Sequence, residues 1–385
     1  MAWKIPLSDI NFTSEESNAV LKVIEGGWLT MGGVTQQFEQ EFADYTGAKH
    51  AIAVANGTAA LHLACVAAGI GPGDEVILPS LTFVAAANAV RYTGATPVFA
   101  DIKSKETLNI SPEFIGANIS ERTRAILVLH YGGYACDMPA IMDIADKHGL
   151  VVIEDAAHAI GSSLEKRMLG TWGQTGCFSF FSNKNMTTGE GGMIVTNDDD
   201  LAERLRRLRS HGMTSVTWDR HQGHAWSYDV VDLGFNYRLD EIRSALGRVQ
   251  LSKLDAYNSR RRELTSLYHE LLEELVPVVE IPFQHHTGVS ACHLLPVLLP
   301  EDINRKQLMG NMKERGIQTS IHYPPIHHFG EYNKVRAFSP QPLRITEEVA
   351  AREVSLPLYP MLSDEDVAVV TQALNDTIKA IYKDS

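Results

Sequence analysis

Between Ala48 and Asn197, short runs of β-favouring apolar residues alternate with amphipathic stretches of helical length. This is the pattern of an α/β domain built around a mainly parallel sheet. Seven runs read as strands: His50–Ala55, Glu75–Pro79, Thr96–Asp101, Ala125–His130, Leu150–Glu154, Cys177–Phe181 and Gly192–Thr196. Helix-length segments separate the earlier runs and the short stretch Ser182–Gly191 separates the last two; crossovers between parallel strands should be right-handed. Helix punctuation agrees: Thr58 opens Ala59–Ala68 before Gly69, while Ser111-Pro112 and Asp137 open two more helices, the second ending at Gly149. Beyond Asp240 the pattern changes to long charged helices, roughly over Asp240–Leu275. Two β-like runs follow, Ala291–Leu299 and Ile317–His322, and then a last helix from Asp364. The change predicts a large domain over residues 1–250 and a smaller C-terminal α+β domain over 251–385, with the boundary near Gln250.

A chain of 385 residues can bury a sizeable core. Its 44% apolar and 21% charged residues, without repeats or low-complexity tracts, are those of an ordinary globular protein. The net charge of -13 argues against a nucleic-acid or anionic-membrane surface, and leaves room for a small anionic substrate held by a local cluster of donors. Cys65, Cys136, Cys177 and Cys292 are far apart and form no CxxC pair. Neither a zinc ribbon nor a redox dithiol is therefore expected, and the thiols should be reduced. No apolar run reaches about 18 residues, and the opening MAWKIPLSDINF lacks the basic and apolar regions of a signal peptide, so a cytoplasmic location is expected.

The strongest local signal is FSFFSNKNMTTGEGG, Phe178 to Gly192, in which Lys184 sits in a polar turn between an aromatic strand and a glycine-rich run. A lysine held there can be partly desolvated, which lowers its pKa and frees its amine for a Schiff base; the alternative is a solvated loop lysine. Upstream, VVIEDAAHAIG carries Asp155 to the edge where open α/β sheets bind ligands. Asp155 could keep the pyridinium nitrogen of a bound ring protonated, or simply cap a helix beginning at Ala156. His158, one turn later, could contact the ring's phenolic oxygen or be an ordinary helix histidine. In ANGTAALHLA, the free N–H groups of a helix start and the Thr58 hydroxyl would form an anion site, though Asn-Gly-Thr also makes a common turn and cap. Phe83, after the next strand, could stack on a planar ring or belong to the core. A Walker-type loop, a dinucleotide GxGxxG fingerprint and HExxH are absent. His285-His286 and the patch His322 to His328 lack a recognised metal spacing; no metal is expected there, and both read as solvated or substrate-facing loops.

Phosphate turn, stacking aromatic, acidic strand end and loop lysine, in that order, resemble the fold-type I pyridoxal 5'-phosphate (PLP) enzymes. More narrowly, the chain resembles the DegT/StrS-type sugar aminotransferases over nearly its whole length, through WLTMGG, NGTAALHLA, LPSLTFVAAANAV, VIEDAAHAIG, FSFFSNKNMTTGEGG, LGFNYRLDEIRSALG and IHYPPIHH. The resemblance implies a Schiff base between PLP and Lys184, with Asp155 on the pyridine nitrogen. It also implies Gly57, Thr58 and Ser179 on the phosphate, Phe83 on the ring face and His158 on its hydroxyl. A neighbouring subunit would complete each site through Asn236 or Arg238, so a homodimer with two composite sites is implied. Phe181-Ser182-Asn183 departs from the usual His-Pro or Tyr-Pro lead-in to the lysine. The stretch Ser210 to Val230, rich in aromatics and histidines, reads as a wall of the substrate pocket or a dimer contact.

The implied reaction moves an amino group from a donor, L-glutamate, to a nucleotide-linked keto-sugar, giving an amino-sugar. A sugar dehydratase of the same family is the first rival, although relatives of that kind can carry His at the lysine position. An aminotransferase for a cyclitol or cyclic keto-acid is the second. A regulatory protein without turnover would call for a broken site or an added DNA-binding module; Lys184 and Asp155 are both present, and no basic segment is found.

Overall fold

The protein is described by a computed structural model over residues 3–215, 223, 227–334 and 341–384. Its strands are β1 (His50–Val54), β2 (Glu75–Pro79), β3 (Thr96–Ala100), β4 (Thr123–Leu129), β5 (Val151–Asp155), β6 (Ser163–Leu164), β7 (Arg167–Met168), β8 (Thr175–Ser179), β9 (Gly192–Thr196), β10 (Leu295–Leu298) and β11 (Glu353–Leu356). Helices α1 (Ser14–Gly26) and α2 (Gly33–Thr46) precede the sheet. The connections within and after it hold α3 (Gly57–Ala67), α4 (Ala85–Tyr92), α5 (Pro112–Ala117), α6 (Met138–His148) and α7 (Asp199–Arg209). The C-terminal part holds α8 (Glu241–Leu275), α9 (Arg305–Glu314), α10 (Arg344–Arg352) and α11 (Asp364–Asp384).

Seven strands form one sheet in the order β1-β9-β8-β5-β4-β2-β3. Neighbours from β8 to β3 run parallel, while β9 lies antiparallel to both β1 and β8. Both faces are covered, so the strands read as near-continuous apolar runs. In β1, Ile52 and Val54 pack with α3, α4 and α7, while Ala51 and Ala53 pack under Phe38 and Phe42 of α2. A third apolar layer joins Tyr268 and Leu272 of α8 to β10, β11, α9 and α11, and takes in Ile5, Leu129 and Tyr131.

All seven expected strands of the sheet are present, with ends that move by one or two residues. The largest shift is at β8, which spans Thr175–Ser179 rather than Cys177–Phe181 and leaves Phe180 and Phe181 in the connection to β9. Helix α3 begins at Gly57 because Asn56, not Thr58, caps it, accepting from the Ala59 N–H at 2.8 Å. No helix follows Asp155: residues 156–162 turn through Ala159 N–H to Ala156 C=O and Ser162 N–H to Ala159 C=O, which excludes both the capping role for Asp155 and the helical setting for His158. Ile317–His322 is not a strand; it makes single bridges, Ile5 with Ile317 and Ser320 with Ser355. The partner of β10 is instead β11, antiparallel to it. Helix α8 runs unbroken through Gln250, so the expected boundary falls inside one continuous element.

Candidate active site

Three chain segments meet at the C-terminal edge of the parallel strands. The first is the start of α3. Gly57 and Thr58 are its first two helical residues, and position alone leaves their N–H groups without intrahelical acceptors. A side chain on Gly57 would place its Cβ 2.9 Å from the Ser179 Cβ and 3.2 Å from the Ser179 Oγ. Glycine thus brings the helix start, with its two N–H groups, against Ser179 at the end of β8. A phosphate fits such a cradle.

The second segment is the end of β5. Glu154 and Asp155 are both buried and face opposite sides of the strand. Glu154 is wholly structural: it accepts from Gly170 and Gly173 N–H at 2.7 Å and from the His130 imidazole at 2.9 Å. Asp155 accepts the Ala157 N–H at 3.1 Å through Oδ1, and Oδ2 has no protein partner among the described residues. Burial raises the Asp155 pKa, opposed by the Ala157 N–H and the nearby Lys184. A buried carboxylate with one free oxygen fits a protonated ring nitrogen.

The third segment is the connection between β8 and β9, which carries Lys184. Burial draws its amine down to about 8, against the pull of the Asp155 charge. Lys184 is half-buried, which sets it apart from a fully solvated loop lysine. The Lys184 Nζ lies 3.5 Å from His293 Nε2. Three further imidazoles and phenols close the space around it. His158 Nδ1 accepts the Gly132 N–H at 3.3 Å, so its Nε2 carries the proton and donates to the Tyr323 hydroxyl at 2.9 Å. His322 is held through Nδ1 by Ser355 Oγ at 2.8 Å. Burial, and then the Lys184 charge, hold all three histidines below the ordinary range, His322 at about 4.

Phe83 is 56% exposed, so it is not a core residue; its ring centroid lies 6.0 Å from that of Tyr323 at the mouth of the site. Asn236 and Arg238 lie elsewhere along the same edge. Their backbone runs antiparallel beside Ser210 and the end of β1, Asn236 is exposed, and the Arg238 guanidinium has no acidic partner among the described residues. Within Ser210 to Val230, residues 216–222 and 224–226 lie outside the described residues. The expected loop histidines divide. His322 is buried rather than solvated, His286 accepts the Ala135 N–H at 3.4 Å, and His327 and His328 come within 3.4 Å and 3.7 Å of Glu347. Sequence reasoning missed His293, Tyr323, Asn185 and Asn258. Asn185 follows the lysine directly, but nothing local marks His293, a single histidine ahead of the apolar run Leu294–Leu299.

Known proteins resemble the chain over nearly its whole length. The chain is 42% identical over 370 residues to the spore coat polysaccharide biosynthesis protein SpsC of Bacillus subtilis, covering 95% of each chain. Among solved structures, DesI in the presence of its TDP-sugar product matches with a TM-score of 0.86 and 32% identity, over 97% of this chain and 92% of that one. The PLP form of Spr1654 from Streptococcus pneumoniae matches with a TM-score of 0.90 and 26% identity, over 98% and 99% of the two chains. The DegT/DnrJ/EryC1/StrS aminotransferase family matches residues 11–375. The chain belongs to that family and is an aminotransferase of fold type I.

Proposed function

We propose that this aminotransferase uses PLP, carried as a Schiff base on Lys184, to transfer the amino group of L-glutamate to a keto-sugar linked to a nucleoside diphosphate. The observation that carries the reading is a buried carboxylate with one free oxygen close to the Lys184 amine, at the same sheet edge as a helix start that Gly57 lets pack against Ser179. The TDP-sugar product of DesI and the polysaccharide role in the name of SpsC support the substrate class.

The family resemblance assigns the roles. Gly57, Thr58 and Ser179 would hold the phosphate, Phe83 would cover the ring face, His158 would stand by the ring hydroxyl and Asp155 would keep the ring nitrogen protonated. Bound there, PLP supplies an electron sink for the charge left when the donor carbon loses its proton. Lys184 would take that proton on Nζ, and burial, which lowers its amine pKa, favours the neutral form that can accept it. The phosphate site would hold the cofactor in place relative to Nζ. Asn236 or Arg238 would complete the site of a neighbouring subunit, making the enzyme a homodimer; the exposure of Asn236, and an Arg238 guanidinium without an acidic partner among the described residues, support that reading. Among the described residues no helix is long and apolar enough to cross a membrane, and the four cysteines are buried and free, in keeping with a cytoplasmic enzyme.

Incubation with PLP, reduction with borohydride and peptide mass analysis should find one cofactor mass on the peptide containing Lys184. Its absence, or its presence on another lysine, would sink the assignment.

A further inference from the structure

The amine of Lys184 touches one imidazole, and the direction of that contact is fixed by a chain of amides behind it. Asn258, buried in the middle of α8, donates from Nδ2 to the Ile160 carbonyl at 2.9 Å, so its Oδ1 is free to accept. It accepts from Asn185 Nδ2 at 2.8 Å, and Asn185 Nδ2 also donates to the Ala291 carbonyl at 2.8 Å. With both Asn185 protons spent on acceptors, its Oδ1 must accept, and the group 2.9 Å away is His293 Nδ1. His293 is therefore the Nδ1–H tautomer, and the lone pair of Nε2 points at Lys184 Nζ, 3.5 Å away. The space for Asn258 depends on Gly161, where a Cβ would fall 2.4 Å from Asn258 Nδ2.

The neighbouring imidazole, tilted by 39° against it, has the opposite tautomer. His158 and His293 rings lie 4.5 Å apart, yet the Gly132 N–H makes His158 carry its proton on Nε2 and donate it to Tyr323. His158 thus offers no acceptor to the lysine. The titratable groups facing Lys184 are Asp155 on β5, His158 in the turn after it, His293 ahead of β10, and His322 in the segment that also brings Tyr323.

Taking Lys184 as the acting amine, as proposed above, we infer that His293 is a positioning residue. Its Nε2 accepts a hydrogen bond from the Lys184 amine whenever the lysine is free of the cofactor, and this contact holds Nζ within reach of the carbons between which it carries the proton. His293 stays neutral throughout. The proton passes from the donor carbon to Nζ and from Nζ onward, and the imidazole only accepts the hydrogen bond of the ammonium form. Burial and the Lys184 charge, which disfavour imidazolium here, agree with that role.

The test reads Lys184 itself in the cofactor-free full-length chain, so it can fail without PLP chemistry failing. The pH dependence of Lys184 acylation, followed by peptide mass analysis, gives the midpoint of the amine. His293→Leu removes the acceptor and should lower that midpoint by about one unit, because a hydrogen bond to a charged group is lost. His293→Gln keeps an oxygen acceptor near the Nε2 position and should restore the midpoint to near the wild-type value. In the PLP-loaded enzyme, His293→Leu should lower kcat about tenfold with KM for glutamate little changed. An unchanged midpoint in His293→Leu, or equal shifts in both variants, overturns the inference. If the leucine variant does not fold, nitrogen-15 spectra of histidine-labelled wild type, assigned by difference from His293→Gln, decide it: an Nδ1–H signal for His293 supports the proposal and an Nε2–H signal overturns it.

Discussion

Gly57→Ala separates the phosphate cradle from ordinary helix energetics, because the two effects have opposite signs. Gly57 has helical geometry at the first position of α3, and alanine there gains up to roughly 1 kcal/mol of backbone propensity. The added methyl, however, would sit 2.9 Å from Ser179 Cβ, where an ordinary carbon contact is about 3.5–4.0 Å. Ser179 ends β8 within the sheet, paired opposite Gly192, so the helix start must yield by more than about half an ångström. A shift of that size lengthens the bonds from the Gly57 and Thr58 N–H groups to a phosphate beyond useful geometry. Losing one charge-assisted bond, about 1.5–3 kcal/mol, weakens PLP binding by about 10- to 150-fold. Titration of cofactor-free protein with PLP, followed by absorbance, measures the affinity, and a thermal melt without cofactor measures the fold. The expected result is weak binding with a melting temperature within a few degrees of wild type, since the strain of the displaced helix start opposes the gain in propensity. Wild-type affinity in Gly57→Ala would refute the cradle.

Other perturbations read the remaining parts of the site. Phe83→Ala should leave the melting temperature within about 1–2 °C of wild type, since the ring is mostly exposed, and weaken PLP binding by roughly 2- to 12-fold through lost stacking; a large loss of stability would mark a core role instead. The Asp155 anion favours the ammonium form of Lys184, so Asp155→Asn should move the Lys184 acylation midpoint below about 8 and slow the glutamate half-reaction by at least about 100-fold; a midpoint that rises would contradict the sign. Refolding Lys184→Ala together with Arg238→Ala should regain about a quarter of wild-type activity, because half of the randomly paired dimers carry one intact composite site. No gain over Arg238→Ala alone would place Arg238 in its own subunit's site.

The central sheet was legible because strands buried on both faces carry near-continuous apolar runs, as Val76–Pro79 within Glu75–Pro79 and Met193–Val195 within Gly192–Thr196, two strands whose bounds hold to the residue. Aromatic continuity misled at β8: Phe178 and Phe180 both enter the core, but pairing with β9 as a ladder stops at Ser179. β11 was hidden because it holds a glutamate and a serine and follows α10 without a break. Glu353 can be buried, with its pKa pushed up to about 7, because Ser355 Oγ and the His322 N–H satisfy its oxygens. Of the candidate site, the strand-end and helix-start residues were visible from their places next to apolar runs. The positions behind Lys184 were not, since Asn185 meets Asn258 across 73 positions and His293 across 108, and no local pattern encodes such pairings.

The account stands most directly on the first half-reaction. Purified protein incubated with PLP should show a visible absorbance band that bleaches when L-glutamate is added, and a keto-sugar linked to a nucleoside diphosphate should then restore it, while Lys184→Ala shows neither change. A band that forms and does not respond to any amino donor would contradict amino transfer, and no band at all would contradict the cofactor assignment on which the account rests.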